Sequence, residues 1–425
     1  MLKLEEFFKS NSRILVKLIS KRYPLSEYQL EKYKSFLLWD EDGVSSNYNI
    51  KWNKKLFNRY NCLLSFNRFG IGGNKSIPWD EQLINEYSSI LNWDDITLNE
   101  GIKWNKSLIH KFINNINWRL LPDNPSITID LNLLNEFASL WHFGDELNRE
   151  NDGFYISGIS GSKNVKWSNE LIKKYKDLLN WTLLSENSSI KFSYGLIERF
   201  INYWNFDKLS GNKSIAIDED FINRYAHLIK FDKLSYIFPY DKALINKYKT
   251  KLDWGILSIR LPWSEEDIYN YPEINKKIIS YNEKIEWTDS LWRKVKSDLD
   301  WKSLLKYNSS FVWTESRLKE YITKYGTDDI SRTRKIKWNK RLINEFESFL
   351  NFDELSEIGN LSNPEAIEAS SKWNFSKLGN NILLPFEINF LYKYRTEIDF
   401  SNHIKIYYGQ YIDLINDELI AKILG

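Results

Sequence analysis

Apolar side chains along this chain recur in a fixed phrase rather than in long runs. In residues 165–190, VKWSNELIKKYKDLLNWTLLSENSSI, Trp167 is followed at once by a small polar residue. Apolar side chains then stand four, five, eight and twelve places after it, at Leu171, Ile172, Tyr175 and Leu179. That spacing is one stripe of a 3.6-residue period and predicts an amphipathic helix of about 11 residues. The remaining positions carry Lys, Glu, Asn and Arg. The phrase returns in residues 102–127, 190–215 and 336–361.

Taking the residue before the polar position as an anchor, the phrase starts at Leu25, Trp52, Trp79, Trp104, Ile129, Trp167, Phe192, Ile217, Tyr240, Trp263, Trp287, Trp313, Trp338, Leu361 and Leu384. Spacings run from 23 to 27 residues, apart from one of 38 between Ile129 and Trp167. The residue after the anchor is Ser, Thr, Asn or Asp in every unit except the last, which has Pro385. Such residues accept hydrogen bonds from the unpaired N–H groups of a helix start. The anchor and the apolar residue five places on (Trp167 with Ile172, Trp79 with Ile84) then form a hydrophobic staple. A second short element follows, as in Trp181–Ser185, Phe206–Ser210, Phe231–Ser235 and Phe352–Ser356. Asp94, Asp207, Asp232 and Asp353 are placed to cap it. Asn99, Asn124, Asn187 and Asn212 close the unit, where a left-handed residue or a side-chain bond to the backbone suits asparagine.

A unit of about 25 residues cannot enclose a core alone, but a stack of such units can. The expected fold is all-α, an α-solenoid of about 15 short helical repeats over residues 24–407. Helical caps are expected at 1–23 and 408–425, and an insertion at about 144–164. The alternative is a leucine-rich-repeat-like α/β horseshoe with the "LS" segment as a strand. Its period of 20–29 residues fits, but Leu184 and Asn187 stand three apart, which is the wrong spacing for its L-x-L-x-x-N signature. The unit W-S-x-x-L-I-x-x-Y-x-x-x-L-x-W-x-x-L-S-x-N resembles Trp-rich tandem repeats of uncharacterised bacterial and large-virus proteins. The resemblance spans the whole repeat region and implies an architecture but no activity.

Composition narrows the function classes. The chain has 425 residues, 59 basic and 57 acidic side chains and a formal charge of +2, so net charge alone will not hold nucleic acid or an anionic membrane. Cys62 is the one cysteine, which excludes an intrachain disulfide framework and a Cys-based zinc site, and the four histidines are far apart in sequence, which argues against a His-rich metal site. Neither an HExxH motif nor a catalytic constellation is present, and no cofactor is expected. Cys62 falls at an apolar helical position and reads as a small core residue. Glu265, Glu266 and Asp267 belong to the first turn of a helix, where the macrodipole favours carboxylates. The N-terminus lacks the apolar core of a secretory signal, and no stretch approaches the roughly 18 apolar residues of a membrane span. These features predict a cytoplasmic, non-membrane protein.

Where the phrase breaks, function is sought. The 144–164 insertion carries Gly153, Gly158 and Gly161 with Phe154, Tyr155, Ile156 and Ile159, apolar residues expected to project toward a partner. The NRFGIGGNKS segment (67–76) lacks the spacing of a phosphate loop. In the Trp263 unit, Pro272 follows Tyr271 and the second element reads NEK, so that unit is expected to lose its second half. The Leu361 unit has Ala369 in place of the aromatic. The aromatic content, 16% of the chain, falls at periodic core positions and reads as packing. Basic residues recur seven places after the anchor in the middle units, at Lys174, Arg199, Arg224 and Lys247, and Arg332 to Lys337 (RTRKIK) is the densest basic cluster. The leading expectation is a non-enzymatic scaffold that binds a protein or peptide along an extended surface. The alternative is a helical-repeat binder of nucleic acid that uses those basic residues.

Overall fold

The computed structural model describes residues 2–144 and 157–424. Among them the chain is all-α, a succession of short α-helices and 3-10 turns without a β-strand. The "LS" segments are helical at Trp181–Glu186, Phe206–Leu209 and Phe231–Leu234, so the horseshoe alternative is not supported. Among the described residues, extended pairing is limited to two isolated bridges, Ile129 with Val165 and Lys337 with Asn360. The chain divides into two compact units, one of Met1–Ile19 with Asp253–Gly425 and one of Ser20–Leu252.

Helix starts fall where the small polar residues stand. Ser26, Asn53, Asp80, Ser168, Asp218, Ser264, Thr314 and Asn339 each accept a backbone N–H from the first turn that follows. Ser362 does not cap: Asn363 does so, with Pro364 at the first helical position, which needs no N–H. The Leu384 unit starts its helix at Ile388 after Glu387, which makes no cap bond. Behind the cap, the stripe is buried as expected, with Leu171, Ile172, Tyr175 and Leu179 all in the core.

Most of these helices are shorter than the periodicity suggests. Asn169–Tyr175 has 7 residues rather than about 11. The Tyr175 carbonyl accepts from Leu178 at 2.9 Å and from Leu179 at 3.0 Å, so a turn rather than a further helical turn carries Leu179 into the core. Asn180 then caps the second element. Glu315–Tyr325 is the long version, 11 residues, and ends on Gly326 at a φ of 82°, a conformation that suits glycine.

The second elements are capped two residues earlier than expected. Asn92, Asn205 and Asn351 accept the first-turn N–H groups, while Asp94, Asp207 and Asp353 lie inside the turn, where a negative charge opposes the helix dipole. Lys230 stands at the same place before Asp232 and makes no side-chain cap. The Trp263 unit keeps its second half. Its helix stops at Asn270, Tyr271 adopts the extended backbone that a following proline favours, and Ile278–Tyr281 supplies the second element as a 3-10 turn.

Two kinds of buried polar residue, an asparagine and a serine, recur in many of the phrases and join one sequence unit to the next. The closing asparagines are extended, not left-handed, and no non-glycine residue among those described has positive φ. Asn308, fully buried, donates from Nδ2 to the carbonyls of Ser280 (3.1 Å) and Asn282 (3.0 Å), and its Oδ1 accepts the N–H of Ser310 at 3.0 Å. Asn282 and Asn381 make the same double donation in this compact unit. In the Ser20–Leu252 unit, Asn74, Asn99, Asn124, Asn187 and Asn212 do so. Both amide hydrogens and the carbonyl oxygen of each side chain are thus satisfied away from water.

The serine of the "LS" segment makes the second link. Ser185 Oγ donates to the Trp181 carbonyl at 2.7 Å and accepts the N–H of Asn205 at 3.0 Å, twenty residues on. Ser210, Ser258 and Ser356 repeat this pair.

Tryptophans of the second element differ from several of the anchors. Those of the second element, Trp93, Trp118 and Trp181, donate Nε1–H to the carbonyl five residues back at 2.8 to 3.2 Å. The buried Nε1 atoms of anchors Trp79, Trp287 and Trp313 have no hydrogen-bond acceptor among the described residues. These rings pack edge-to-face instead, Trp79 on Phe57 at 5.8 Å and both Trp287 and Trp313 on Phe311 at 5.5 and 4.9 Å.

Candidate interaction surfaces

Two other rows stand apart from the stripe that fills the core, a charged one on the first helices and an apolar one on the turns that follow them. The charged row holds the basic residues seven places after the anchor. Lys247 pairs with Glu219 and lies over the Tyr248 ring, and Arg224 pairs with Glu198 at 3.1 Å while stacking 4.9 Å from the Tyr194 centroid. Lys174 donates to Asn135 Oδ1 at 2.6 Å. The Arg199 side chain is exposed and, among the described residues, makes neither a hydrogen bond nor an ion pair. Three of the four basic positions are therefore engaged by the preceding sequence unit. The Glu219 carboxyl is held below the usual carboxylate range by its hydrogen bond from Lys247, and the Lys247 ammonium is correspondingly raised.

Ion pairs between neighbouring sequence units recur elsewhere on the Ser20–Leu252 unit, at Lys54–Asp80 (2.6 Å), Lys111–Glu81 (2.7 Å) and Lys208–Glu186 (2.6 Å). On the other compact unit it is seen at Lys294–Glu265 (2.8 Å) and Arg341–Glu315 (2.6 Å). The RTRKIK cluster is also engaged: Arg332 pairs with Glu354 at 2.6 Å, and Lys335 reaches Ser309 Oγ and Glu283.

The apolar row stands eleven places after the anchor. Phe36, Ile90 and Leu178 are 52%, 56% and 58% exposed, and Leu140 and Tyr203 are exposed as well. All five belong to the Ser20–Leu252 unit. Each precedes a buried partner at the twelfth place: Leu37, Leu91, Trp141, Leu179 and Trp204. In the sequence this row is visible only as a doubled apolar residue, of which the helical stripe accounts for one. The turn after Tyr175 points the second into the core and leaves the first outside.

The insertion departs from expectation in the part that is described. Phe154 and Tyr155, with Gly153 and Ile156, lie outside the described residues. Ile159 does not project: it is fully buried, and Gly158–Gly161 is a helical turn that serves as the second element of the Ile129 unit. Ser160 Oγ accepts the N–H of Asn180 at 2.8 Å, as the serines of regular units do. Where the insertion leaves and returns, Gly144 and Gly158 have φ of 108° and 53°. A Cβ on Gly158 would stand 2.4 Å from the Gly144 nitrogen, so the close backbone approach there requires glycine.

Candidate chemistry is sparse. No group of His, Cys, Asp and Glu among the described residues could hold a metal ion. Cys62 is exposed rather than in the core, because the helix ends at Tyr60 and a 3-10 turn carries the thiol outward. Asp123 has its carboxyl raised by burial, against hydrogen bonds from Ser157 that lower it. A cleft of about 510 Å³ borders the NRFGIGGNKS segment, lined by Lys21, Arg22, Tyr48, Arg68, Phe69 and Asp95. The Phe69 and Gly70 amides are spent on Asn67 Oδ1, so this segment offers no phosphate cradle. A shallow cleft of about 830 Å³ on the other compact unit is lined by Lys296, Glu315, Lys319, Glu320 and Arg341, whose charges pair among themselves. No helix among the described residues is long and apolar enough to cross a membrane. No protein-family model, curated protein or solved structure matches this chain.

Proposed function

We propose that the chain is a non-enzymatic scaffold, an α-solenoid of Trp-rich repeats, that binds a protein or peptide partner along an extended surface in the cytoplasm. The observation that carries this reading is the apolar row of Phe36, Ile90, Leu140, Leu178 and Tyr203. Solvent-facing apolar residues scattered singly need no explanation, but their return at one position in five units of the Ser20–Leu252 region does. Aromatic and aliphatic anchors at regular intervals suit a partner that offers apolar groups along its length. The basic residues favour this reading over nucleic acid, because Lys174, Arg224 and Lys247 are already engaged. The proposal is tested by capture with the tagged chain from native extract, with and without nuclease. A stoichiometric protein that survives nuclease supports the scaffold. Recovery of nucleic acid, with any protein lost on digestion, rejects it in favour of a nucleic-acid binder.

A further inference from the structure

Within the compact unit Met1–Ile19 with Asp253–Gly425, the amino-terminal helix Leu2–Ser10 docks on the last helices of the chain. Its apolar contribution is a pair of adjacent phenylalanines. Phe7 and Phe8 are fully buried; the Phe7 ring stands edge-on to Phe400 at 5.4 Å and parallel to Tyr411 at 5.9 Å. Its polar contribution is a set of clips around that plug. Lys3 Nζ donates to Asn389 Oδ1 at 3.1 Å, Glu6 pairs with Arg395 at 3.2 Å and Glu5 pairs with Lys422 at 2.9 Å. Both carboxylates face cations and the lysine faces an amide, so the complementarity is directional and fixes the orientation of the helix.

The joint behind this helix is minimal. Asn11 alone separates Ser10 from the next helix, Ser12–Arg22. Its side chain donates to the Phe7 carbonyl at 2.9 Å and its own carbonyl accepts from Leu15 at 3.2 Å. Releasing the first bond lets the two helices run on as one, which carries Phe7 and Phe8 away from Phe400 and Tyr411. A short joint of this kind is the usual site of exchange of an identical element between protomers.

We infer that the surface made by the Ile388–Lys393 and Asp417–Leu424 helices, with Phe400 and Tyr411 at its floor, is an acceptor for the Leu2–Ser10 helix of a second copy as well as for the chain's own. The contacts are the same in both cases, because the residues paired are 386, 389 and 417 positions apart in sequence. In a single copy the tethered helix acts at high effective concentration and excludes the rival. Straightening at Asn11 removes that advantage, and copies then join by exchanging their first helices.

Two measurements on the full-length chain test this. In the first, Phe7→Ala/Phe8→Ala empties the acceptor, and a labelled peptide of residues 2–11 is titrated into it. Saturable one-to-one binding is expected, absent with the wild-type chain and weakened more than about tenfold when the peptide itself carries Phe7→Ala. Failure of the peptide to bind a variant whose far-ultraviolet circular dichroism is native overturns the inference. In the second, Asn11→Ala, which leaves both phenylalanines in place, is followed by sedimentation against concentration. It is expected to form dimers where the wild type is monomeric, and adding Phe7→Ala/Phe8→Ala is expected to abolish them. A monomeric Asn11→Ala, or dimers that persist without the phenylalanines, overturns it.

Discussion

Replacing Asn308 by alanine removes the side chain that fastens three stretches of backbone together. The amide donates to the Ser280 and Asn282 carbonyls at 3.1 and 3.0 Å. Its oxygen accepts from Ser310 N, Ser310 Oγ and Phe311 N at 3.0, 2.9 and 3.0 Å. Asn308 is fully buried, so no water replaces these bonds. With about 1 kcal/mol net per hydrogen bond and up to about 3 kcal/mol for a buried group left unpaired, the loss comes to about 3–5 kcal/mol. That is the upper tail of single substitutions. Asn308→Asp keeps the shape but sets a carboxylate oxygen against two carbonyls, which raises the folded-state pKa above the unfolded value of about 3.9. Its stability is then lost as pH rises above about 4 and is regained on acidification. Urea unfolding followed by tryptophan fluorescence measures both variants, with the exposed Asn270→Ala as control, expected within about 0.5 kcal/mol of wild type. An Asn308→Ala cost below about 1 kcal/mol refutes the argument that these asparagines hold successive units together.

Ser356→Ala loses the bond to the Phe352 carbonyl and leaves the Asn374 N–H unpaired; a cost of about 1–2 kcal/mol is expected in the same assay. His403 is buried among Phe386, Phe400, Tyr407 and Tyr411, and burial pushes its imidazole down to about 4. The unfolded chain takes up this proton near pH 6.5 and the folded one near 4, so stability is full above 6.5 and falls between those values. The loss approaches about 3 kcal/mol at the acid end, and His403→Phe is expected to flatten that part of the pH profile. Cys62, exposed in the native chain, is expected to react with a thiol reagent without denaturant and at the rate seen in urea; protection in the native state contradicts that placement.

The elements were legible because their signals are local. A small polar residue ahead of an apolar stripe is enough to start a helix, and Ser168 with Leu171, Ile172 and Tyr175 behaves as that rule requires. What was not legible depends on contacts between units. Asn187 and Ser185 look like turn residues in the sequence, and their roles appear only when their partners, Ser160, Ser162 and Asn205, come within hydrogen-bond reach. Pro272 suggested a lost half-unit, but Ser280 and Asn282 preserve the linking bonds on a 3-10 turn that apolar spacing does not reveal. The candidate surface was half visible. Lys174, Arg224 and Lys247 were found as a row, yet their hydrogen-bond and ion-pair partners belong to the preceding unit. The apolar row was hidden because Leu178 and Leu179 are alike as residues and only the turn between them and Tyr175 sorts one from the other.

The most direct test of the scaffold compares the wild-type chain with Ile90→Glu/Leu178→Glu in nuclease-treated capture, followed by titration of the captured protein onto each. Both positions are exposed, so the variant is expected to melt with the wild type while losing the partner more than about tenfold in affinity. Undiminished binding by a variant that carries two charges on the apolar row contradicts the account.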